Sequence, residues 1–439
     1  MIRNGILALA AALALLGSCS PPSPKRTQLV IQRIFGACEA EYGAVADVAK
    51  AEGECGIMTA AINRFQADNP DIDVVENIVF WPGYDQLTAQ LAANDPPDLV
   101  TMHGSVIADY QARGLLDPLG PELVKRGVAP ASFTDAARAA VTIDGAVWGL
   151  PIDTWTQLWQ VNLNLFRKAG LVKDGKPVMP RSPEELFAQA QQFRERTGKP
   201  YLIQATANEY ANFARNFYTF VMQQGGTLFT DARHANFRTP EAHKALQLFR
   251  TIHERNFTTR NQDYSAAVSS FLNGGGGVTL AGTWMVGTFD EESRKPGRPL
   301  SDGYTVVPYP QLFSGRDVTF GDGHNWVMPH DPRRTPAERE AALRFLVFFA
   351  SQDAHWARTG HLPSFQAVID SPAWRSLPHR SNLADLAQAV TPLRKDVRRQ
   401  FPLENIVGQE AAAAISGAKP IDQALADMER RVNTILQNL

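Results

Sequence analysis

The sequence predicts an α/β protein, and three observations support that prediction. Between Leu29 and Thr101, short apolar segments alternate with helical ones, as in α/β domains with a largely parallel sheet. The 439 residues are 44% hydrophobic, which supports large cores, and this length allows two or three domains at about 100–200 residues each. The formal net charge of −2 gives no electrostatic reason to expect a nucleic-acid partner, and we expect none.

The first elements follow from periodicity and from turn residues. Ile57, Ala61 and Phe65 are four residues apart, which places them on one face of a helix. Asn69-Pro70-Asp71 and Pro96-Pro97-Asp98 interrupt the pattern as turns do. We therefore predict, in order, a strand at 29–35, a helix at 55–65, a strand at 72–80, a helix at 84–93 and a strand at 98–101.

A second set of elements follows Trp148-Gly149-Leu150-Pro151, where the alternation of short apolar and helical segments changes. Helical periodicity is clear in three long segments, and helices dominate from Pro336 to the C-terminus. The Gly274–Gly277 run reads as a turn between a helix and a strand. We predict strands at 156–163, 278–280 and 304–307, and helices at 184–196, 208–223 and 240–255.

The N-terminus indicates export. Arg3 precedes a short apolar run from Ile6 to Leu16, as in a secretory signal, and that run is too short to span a hydrocarbon core of about 30 Å. Leu16-Gly17-Ser18-Cys19 resembles a bacterial lipoprotein box, so we expect residues 1–18 to be removed and Cys19 to carry a lipid that anchors the protein to the membrane. The alternative is an ordinary signal peptide with Cys19 incidental. Prolines and small polar residues make 19–27 a tether.

Two further cysteines, Cys38 and Cys55, remain. Thiols exported to an oxidising compartment usually pair, and closing this loop would contribute about 3 kcal/mol in the chain-entropy model. The alternative, a zinc site, lacks a neighbouring histidine and has too few ligands. We therefore favour a disulfide.

Motifs for catalysis and for cofactors are absent from the sequence. It contains no H-E-x-x-H, C-x-x-C or G-x-S-x-G, and the Gly274–Gly277 run lacks the Lys-Ser/Thr of a P-loop. Its nine histidines are scattered without ligand spacing. We therefore expect no cofactor and no metal. A carboxylate pair for glycoside hydrolysis stays open, because such pairs are defined by distance in space.

Four segments, taken in order, carry a family resemblance. The segments are Pro97-Asp98-Leu99-Val100 with Gly114-Leu115-Leu116-Asp117-Pro118-Leu119; Ile143-Asp144-Gly145 through Trp148-Gly149-Leu150-Pro151, with Asn162, Leu165-Phe166 and Lys168-Ala169-Gly170-Leu171; Ala281-Gly282-Thr283-Trp284; and Gly360-His361-Leu362-Pro363. Together they resemble extracellular solute-binding proteins of carbohydrate ABC transporters, the maltose-binding-protein-like family. The closing helical segment, Ile406 to Ile435, is also similar.

The resemblance implies a periplasmic-binding-protein fold, in which two lobes joined by a hinge enclose a ligand cleft. We expect 28–151 and 312–355 to form the N-terminal lobe, and 152–311 and 356–439 the C-terminal lobe. It also implies a monomer in the periplasm or cell envelope that works with permease subunits. Residues Ala37 to Gly56 look inserted relative to the family, which puts in doubt any site residue carried over there, such as Glu39.

Sugar-binding sites combine aromatic rings, which cover the apolar face of a pyranose, with polar groups that bind its hydroxyls. Trp81, Trp155 and Trp284 fall at predicted loop or hinge positions, whereas Trp356 and Trp374 lie in helical stretches and read as packing. His103 and Ser105 follow a strand, where open α/β sheets place ligands. For each residue the alternative is a core, cap or turn role. The full predicted site is Trp81, Tyr84, His103, Ser105, Asp153, Trp155, Asn208, Glu209, Trp284, Asp322, His324 and Glu404.

Three functions fit these observations to different degrees. The first is the substrate-binding component of an ABC importer that captures a sugar, of di- or oligosaccharide size, and delivers it to a membrane permease. The alternative is an exported glycoside-active enzyme that uses cleft carboxylates. A binder of another solute fits less well, because the predicted cleft positions lack the Arg and Lys cluster that phosphate groups require and the dense acidic and aromatic cage that a polyamine requires.

Overall fold

A computed structural model describes residues 26–208, 210–313, 315–383 and 386–439. The predicted signal peptide, Cys19, the tether up to residue 25 and Glu209 lie outside the described residues. Within the described ranges, no helix is both long enough and apolar enough to cross a bilayer.

Strands occur throughout the chain, many of them short. They are β1 (Thr27–Arg33), β2 (Ile72–Ile78), β3 (Leu99–His103), β4 (Thr142–Ile143), β5 (Ala146–Val147), β6 (Gly149–Pro151), β7 (Asp153–Asn162), β8 (Val172–Lys173), β9 (Lys176–Pro177), β10 (Leu202–Ile203), β11 (Phe229–Asp231), β12 (His234–Ala235), β13 (Val278–Gly282), β14 (Tyr304–Pro308), β15 (Thr319–Asp322), β16 (His324–Val327), β17 (Leu362–Pro363) and β18 (Val390–Thr391).

Helices separate most of these strands and make up nearly all of the C-terminal part. They are α1 (Glu39–Tyr42), α2 (Gly53–Asp68), α3 (Tyr84–Ala92), α4 (Gly104–Ala112), α5 (Gly120–Lys125), α6 (Asp135–Val141), α7 (Leu163–Ala169), α8 (Pro183–Thr197), α9 (Tyr210–Gln223), α10 (Pro240–Glu254), α11 (Tyr264–Leu272), α12 (Val286–Ser293), α13 (Pro336–Ala350), α14 (Asp353–Trp356), α15 (Gln366–Ile369), α16 (Pro372–Arg375), α17 (Leu386–Ala389), α18 (Gln400–Ser416) and α19 (Ile421–Gln437).

Three long helices begin with the same local signal. Ser182, Thr239 and Thr335 each accept a hydrogen bond from a backbone N–H of the first turn, and proline follows each of them. The hydroxyl satisfies a donor that the helix itself leaves free, and proline has no N–H to satisfy there. Helices α8, α10 and α13 therefore start where the sequence specifies.

The first sheet has the strand order β2-β1-β3-β16-β6. Strand β1 is parallel to β2 and β3, whereas β16 is antiparallel to both β3 and β6. Four of the five strands therefore run in the same direction, as the sequence predicted, and β16 alone is reversed. The reversal arises because β6 leaves for the rest of the chain and β16 returns from it, so these two strands run in opposite directions.

The second sheet is built around β7, a ten-residue strand that is buried along its whole length. Strands β13, β14, β15 and β17 all pair with it in the antiparallel sense. Two apolar clusters include residues of this sheet, one with Trp159 and Phe217 and the other with Leu158 and Phe271. A separate core cluster, containing Trp326 and Phe345, belongs to the first sheet. The structure is therefore two-lobed, as the sequence predicted.

The chain crosses between the two sheets at Ile152, which joins β6 to β7, and at Gly323, which joins β15 to β16. Leu312, Val318 and Phe320, which the predicted boundaries assign to the first lobe, pack in the core of the second. We therefore propose that the second crossing lies at Gly323, and not at residue 312 as the sequence suggested.

The predicted disulfide is present. Cys38 and Cys55 are bonded, with their Cα atoms 5.9 Å apart. The bond closes the segment that looked inserted in the sequence and fixes the entry to α2. As a result, Glu54 in the first turn of α2 is held near the cleft between the lobes.

Candidate ligand-binding site

A cavity of about 260 Å³ lies between the lobes. The loops after β1 and β2, the first turn of α2, the end of β3 and the start of β16 supply one wall, whereas β7, α9, α11 and the turn after β13 supply the other. Both lobes thus contribute, as a cleft that closes around a ligand requires. The lining residues are Ile34, Phe35, Glu54, Trp81, His103, Trp155, Asn212, Arg215, Tyr264, Trp284 and His324.

Three tryptophans converge on this cavity. The ring centroids of Trp155 and Trp284 are 5.8 Å apart with the planes at 77°, an edge-to-face arrangement. The Trp284 indole N–H donates to the Tyr264 hydroxyl over 2.6 Å, which fixes the ring. Trp81 lies on the opposite wall and is 40% exposed. The three rings form an apolar lining with open space between them.

Arg215 of α9 lies against two of these rings. Its guanidinium carbon is 4.5 Å from the centroid of the Trp155 ring and 5.5 Å from that of Trp81. Its Nε donates to the Glu404 carboxylate over 2.6 Å, and the two side chains are 8% and 13% exposed. Burial raises the pKa of Glu404, and the guanidinium opposes that rise. The pair places one cation and its counter-charge beside the cavity.

His103, at the end of β3, is held by Tyr84. The Tyr84 oxygen lies 2.6 Å from His103 Nδ1 and also accepts the His103 backbone N–H over 3.0 Å. The Trp81 indole N–H points to His103 Nε2 at 3.4 Å. Burial, together with the nearby His324 and Arg215, lowers the pKa of His103 well below its usual value. A neutral imidazole therefore faces the cavity, and Tyr84 acts by positioning it.

Asp153 and His324 meet where the chain crosses between the lobes. The Asp153 carboxylate lies 2.9 Å from His324 Nδ1 and accepts the Trp356 indole N–H over 2.8 Å. Burial alone would raise the pKa of Asp153, but His324 and His361 outweigh it and lower that pKa to about 2. Burial likewise opposes the charged form of His324, yet the Asp153 carboxylate raises its pKa overall. Asp153 therefore orients His324 and is itself enclosed.

Ser105 and Asp322 lie in a narrow extension of the cleft that also touches Trp81, Arg215 and Glu404. The Asp322 carboxylate accepts the backbone N–H groups of Ser105 and Gly323, over 3.2 and 2.8 Å. Burial raises the pKa of Asp322. Ser105 and Asp322 also line a cavity of about 930 Å³ on the side of α4 and α6.

The structure thus separates the predicted site residues into groups. Trp81, His103, Trp155, Trp284 and His324 line the main cavity, and Ser105, Asp322 and Glu404 line its extension. Tyr84 and Asp153 hold the two histidines.

Asn208 does not line these cavities. It is exposed, with a φ of 58° in the turn before α9, because the helix begins at Tyr210 and not at Asn208 as predicted. Asn212 and Arg215, further into α9, line the cavity instead. Glu209 lies outside the described residues.

The sequence analysis did not identify several of the residues that line the cavity. Arg215 is the charged residue of α9, a helix otherwise rich in aromatic and small side chains, and that contrast is a signal the sequence offered. Glu54 belongs to the segment that departs from the family pattern, so a resemblance could not identify it, and Phe35 ends the predicted first strand. Tyr264 reaches the cavity through its contact with Trp284, which depends on tertiary structure.

A family profile settles the relationship of this chain to known proteins. The profile described as "Bacterial extracellular solute-binding protein" matches residues 60–382. The chain belongs to this family. Family membership confirms the resemblance and makes this an extracellular solute-binding protein.

Individual relatives of this solute-binding protein are distant in sequence and similar in fold. The maltodextrin-binding protein MdxE of Bacillus subtilis (strain 168) is 24% identical over 317 residues, which cover 70% of this chain and 69% of that protein. The cyclic alpha-maltosyl-1,6-maltose binding protein from Arthrobacter globiformis superposes with a TM-score of 0.71 at 22% identity, covering 94% of this chain and 100% of that one. Maltose-bound MalE3 of T. maritima superposes with a TM-score of 0.77 at 18% identity, covering 93% of this chain and 100% of that one. These superpositions confirm the predicted two-lobed fold.

Proposed function

We propose that this protein captures a carbohydrate, of di- or oligosaccharide size, in the interlobe cleft and delivers it to the permease of an ABC importer. The observation that carries the proposal is the convergence of Trp81, Trp155 and Trp284, from both lobes, on one cavity with polar side chains at its edge.

The chemistry of the cavity suits a sugar. A pyranose ring has an apolar face that packs on an indole and a rim of hydroxyls that need donors and acceptors. Asn212, Arg215 and Glu54 supply both kinds of group beside the tryptophans. The guanidinium is already paired with Glu404, so the cavity carries no unbalanced positive charge from Arg215 that would favour a phosphate.

The extent of the cleft supports a ligand of more than one sugar ring. A second cavity of about 560 Å³ shares Phe35, Glu54 and Trp284 with the first, so the two cavities adjoin along the cleft. The proteins with similar folds include binders of maltose and of a cyclic maltosyl-maltose, which supports the same size class.

Capture would work through closure of the lobes. A ligand that contacts both walls binds the closed state more tightly than the open one and shifts the population toward it. The closed lobes would then present a surface that the permease recognises. We propose that the protein does this as a monomer and that no bond in the sugar is made or broken.

Mass spectrometry of ligand co-purified with the protein, followed by calorimetric titration with oligosaccharides, tests this proposal. We expect stoichiometric binding and no change in the sugar after prolonged incubation. Turnover of the oligosaccharide would instead support the glycoside-active enzyme. The absence of binding to every sugar, with tight binding of another solute, would contradict the proposal.

We also propose that the protein is held at the cell envelope by a lipid on Cys19. The composition of the segment after Cys19 predicts a tether, so Cys19→Ser should abolish incorporation of labelled fatty acid while ligand affinity stays unchanged. Labelling that persists in Cys19→Ser would show that Cys19 is not the modified residue.

A further inference from the structure

Three side chains from distant parts of the chain converge beside the cleft. They are Glu54 in the first turn of α2, His324 at the start of β16 and His361 just before β17. One ligand atom of each, a ring nitrogen or a carboxylate oxygen, lies within 4.8 Å of the other two. His361 Nε2 and Glu54 Oε1 are already 2.7 Å apart. The sequence predicted no metal site because these residues show no ligand spacing along the chain.

Each histidine has one ring nitrogen held by a second residue. Asp153 lies 2.9 Å from His324 Nδ1, and the Thr283 hydroxyl lies 2.9 Å from His361 Nδ1. On His361 this leaves Nε2, which already lies 2.7 Å from Glu54 Oε1, and on His324 it leaves Nε2 outside the contact with Asp153. Metal-binding histidines show this pattern, because a carboxylate or hydroxyl on the far nitrogen fixes the ring orientation and the tautomer.

The surroundings also suit a cation. The side chains of His361 and Asp153 are fully buried, and those of His324 and Glu54 are 8% and 25% exposed. Two carboxylates thus lie close together in a region of low dielectric, where a divalent ion would interact with them more strongly than in water. The set offers two imidazoles and one carboxylate, the donors that zinc prefers, whereas calcium and magnesium prefer oxygen ligands.

We propose that Glu54, His324 and His361 form a binding site for a divalent transition metal ion of the zinc class. Tetrahedral coordination at bond lengths of about 2.0–2.2 Å requires ligand atoms about 3.3–3.6 Å apart, so an ion would draw together side chains whose ligand atoms now lie within 4.8 Å of one another. Glu54 and His324 also line the cleft cavity, so the metal site would border it.

The site would also connect the lobes. Glu54 belongs to a helix of the first lobe, whereas His361 is followed by β17, which pairs with β7 of the second sheet. A metal ion bound by both residues, and by His324 at the crossing, would restrain the angle between the lobes. Zinc binding itself does not require a sugar, although Glu54 and His324 also line the cavity proposed for the sugar.

Zinc binding to the full-length mature protein tests the proposal. The protein is first treated with a chelator, then titrated with ZnCl₂ by calorimetry, and its bound metal is measured after dialysis. We expect one zinc per chain. Glu54→Gln keeps the shape of the side chain and should weaken zinc binding at least tenfold, and Asp153→Asn should weaken it about 10- to 100-fold through the orientation of His324.

Glu52→Gln is the matched control, because Glu52 is an exposed carboxylate two residues from Glu54 and outside the cluster. It should bind zinc as the wild type does. Co²⁺ loading adds a spectroscopic readout, since a four-coordinate site gives strong visible d–d absorption that Glu54→Gln should lose. The absence of stoichiometric zinc in the wild type, or equal affinity in Glu54→Gln and Glu52→Gln, would overturn the proposal. Sugar titration of the metal-free protein reports separately on the proposed function.

Discussion

Trp284 connects the two parts of the cleft at the residue scale, because its ring borders both the 260 Å³ and the 560 Å³ cavities. If the ring covers a sugar face, Trp284→Ala should weaken ligand binding by about 2–4 kcal/mol, as truncation of a hot-spot aromatic does. The fold should survive, since the side chain lies at the edge of the core. Calorimetry gives the dissociation constant and thermal unfolding gives the melting temperature of the same sample.

Trp326 provides the contrasting case. It is fully buried in the first lobe, with its ring edge-to-face against Phe345 and Phe349. Trp326→Phe should lower the melting temperature and leave the affinity of the folded protein unchanged, because it removes core packing only. An unchanged affinity in Trp284→Ala, with a large loss of melting temperature, would remove Trp284 from the site.

The pair of Arg215 and Glu404 should matter for both stability and binding. Glu404→Gln leaves a guanidinium against two tryptophans without its counter-charge, and breaking a buried pair in this way costs about 3 kcal/mol of unfolding free energy. Ligand affinity should fall as well, because Arg215 is then free to move off the rings. Urea denaturation and calorimetry measure the two effects.

Glu410 offers a matched control for Glu404. It is also a nearly buried carboxylate of α18, paired with Lys419 and Arg431, but it does not line the cleft cavities. Glu410→Gln should destabilise the second lobe and leave ligand affinity unchanged. If Glu404→Gln behaves in the same way as Glu410→Gln, Glu404 has a structural role alone.

At the element scale, Asp353 ties α14 to the strand that follows it. Its carboxylate accepts the backbone N–H groups of Ser364 and Phe365 over 3.0 and 3.1 Å, and burial raises its pKa to about 7. Between the ordinary pKa near 3.8 and this raised value, the folded state binds a proton that the unfolded state has lost. The contribution of the Asp353 carboxyl to the free energy of unfolding should therefore be fully present below a pH of about 3.8. It should decline as the pH rises toward 7, by up to about 1.4 kcal/mol per pH unit.

Asp353→Asn does not titrate and should lack this decline. Urea denaturation of both proteins at several pH values between about 4 and 8 gives the difference in unfolding free energy, which should shift in favour of Asp353→Asn as the pH rises. Asp370→Asn, at an exposed carboxylate nearby, should follow the wild-type profile. A difference between wild type and Asp353→Asn that does not vary with pH would show that the carboxyl does not titrate in this range.

At the scale of the whole molecule, the lobes touch through aromatic residues across the cleft. Phe401, at the start of α18, lies 5.6 Å from both Trp81 and Tyr84 of the first lobe, measured between ring centroids. Each such pair contributes about 0.5–1.5 kcal/mol to the closed arrangement. Phe401→Ala should therefore shift the ligand-free protein toward an open state, with a larger radius of gyration in small-angle X-ray scattering.

Ligand affinity should fall in the same variant, because closure then costs more free energy. Phe187 is a matched control, since it is a half-buried phenylalanine of α8 that packs within the second lobe. Phe187→Ala should change neither the radius of gyration nor the affinity. An unaltered radius of gyration in Phe401→Ala would show that these contacts do not set the angle between the lobes.

Local chemistry in the sequence determined the secondary-structure elements and the pairing of Cys38 with Cys55. The ordered motifs determined the family and, through the family, the two-lobed fold. Apolar periodicity and proline turns act over a few residues, so helices such as α8 and α10 could be predicted to within one or two residues. The sequence also placed Trp81 and His103 at the ends of predicted strands and Trp155 and Trp284 at loop or hinge positions, and all four line the cavity between the lobes.

Tertiary structure alone decided which of these residues meet. The mixed direction of the first sheet, the crossing at Gly323 and the contact of Glu54 with His361 all join positions far apart in the chain. The burial of Arg215 against two tryptophans likewise depends on the approach of α9 to β7 and of α18 to α9. The physical reason is that packing and charge pairing depend on distance in space, which local periodicity does not encode.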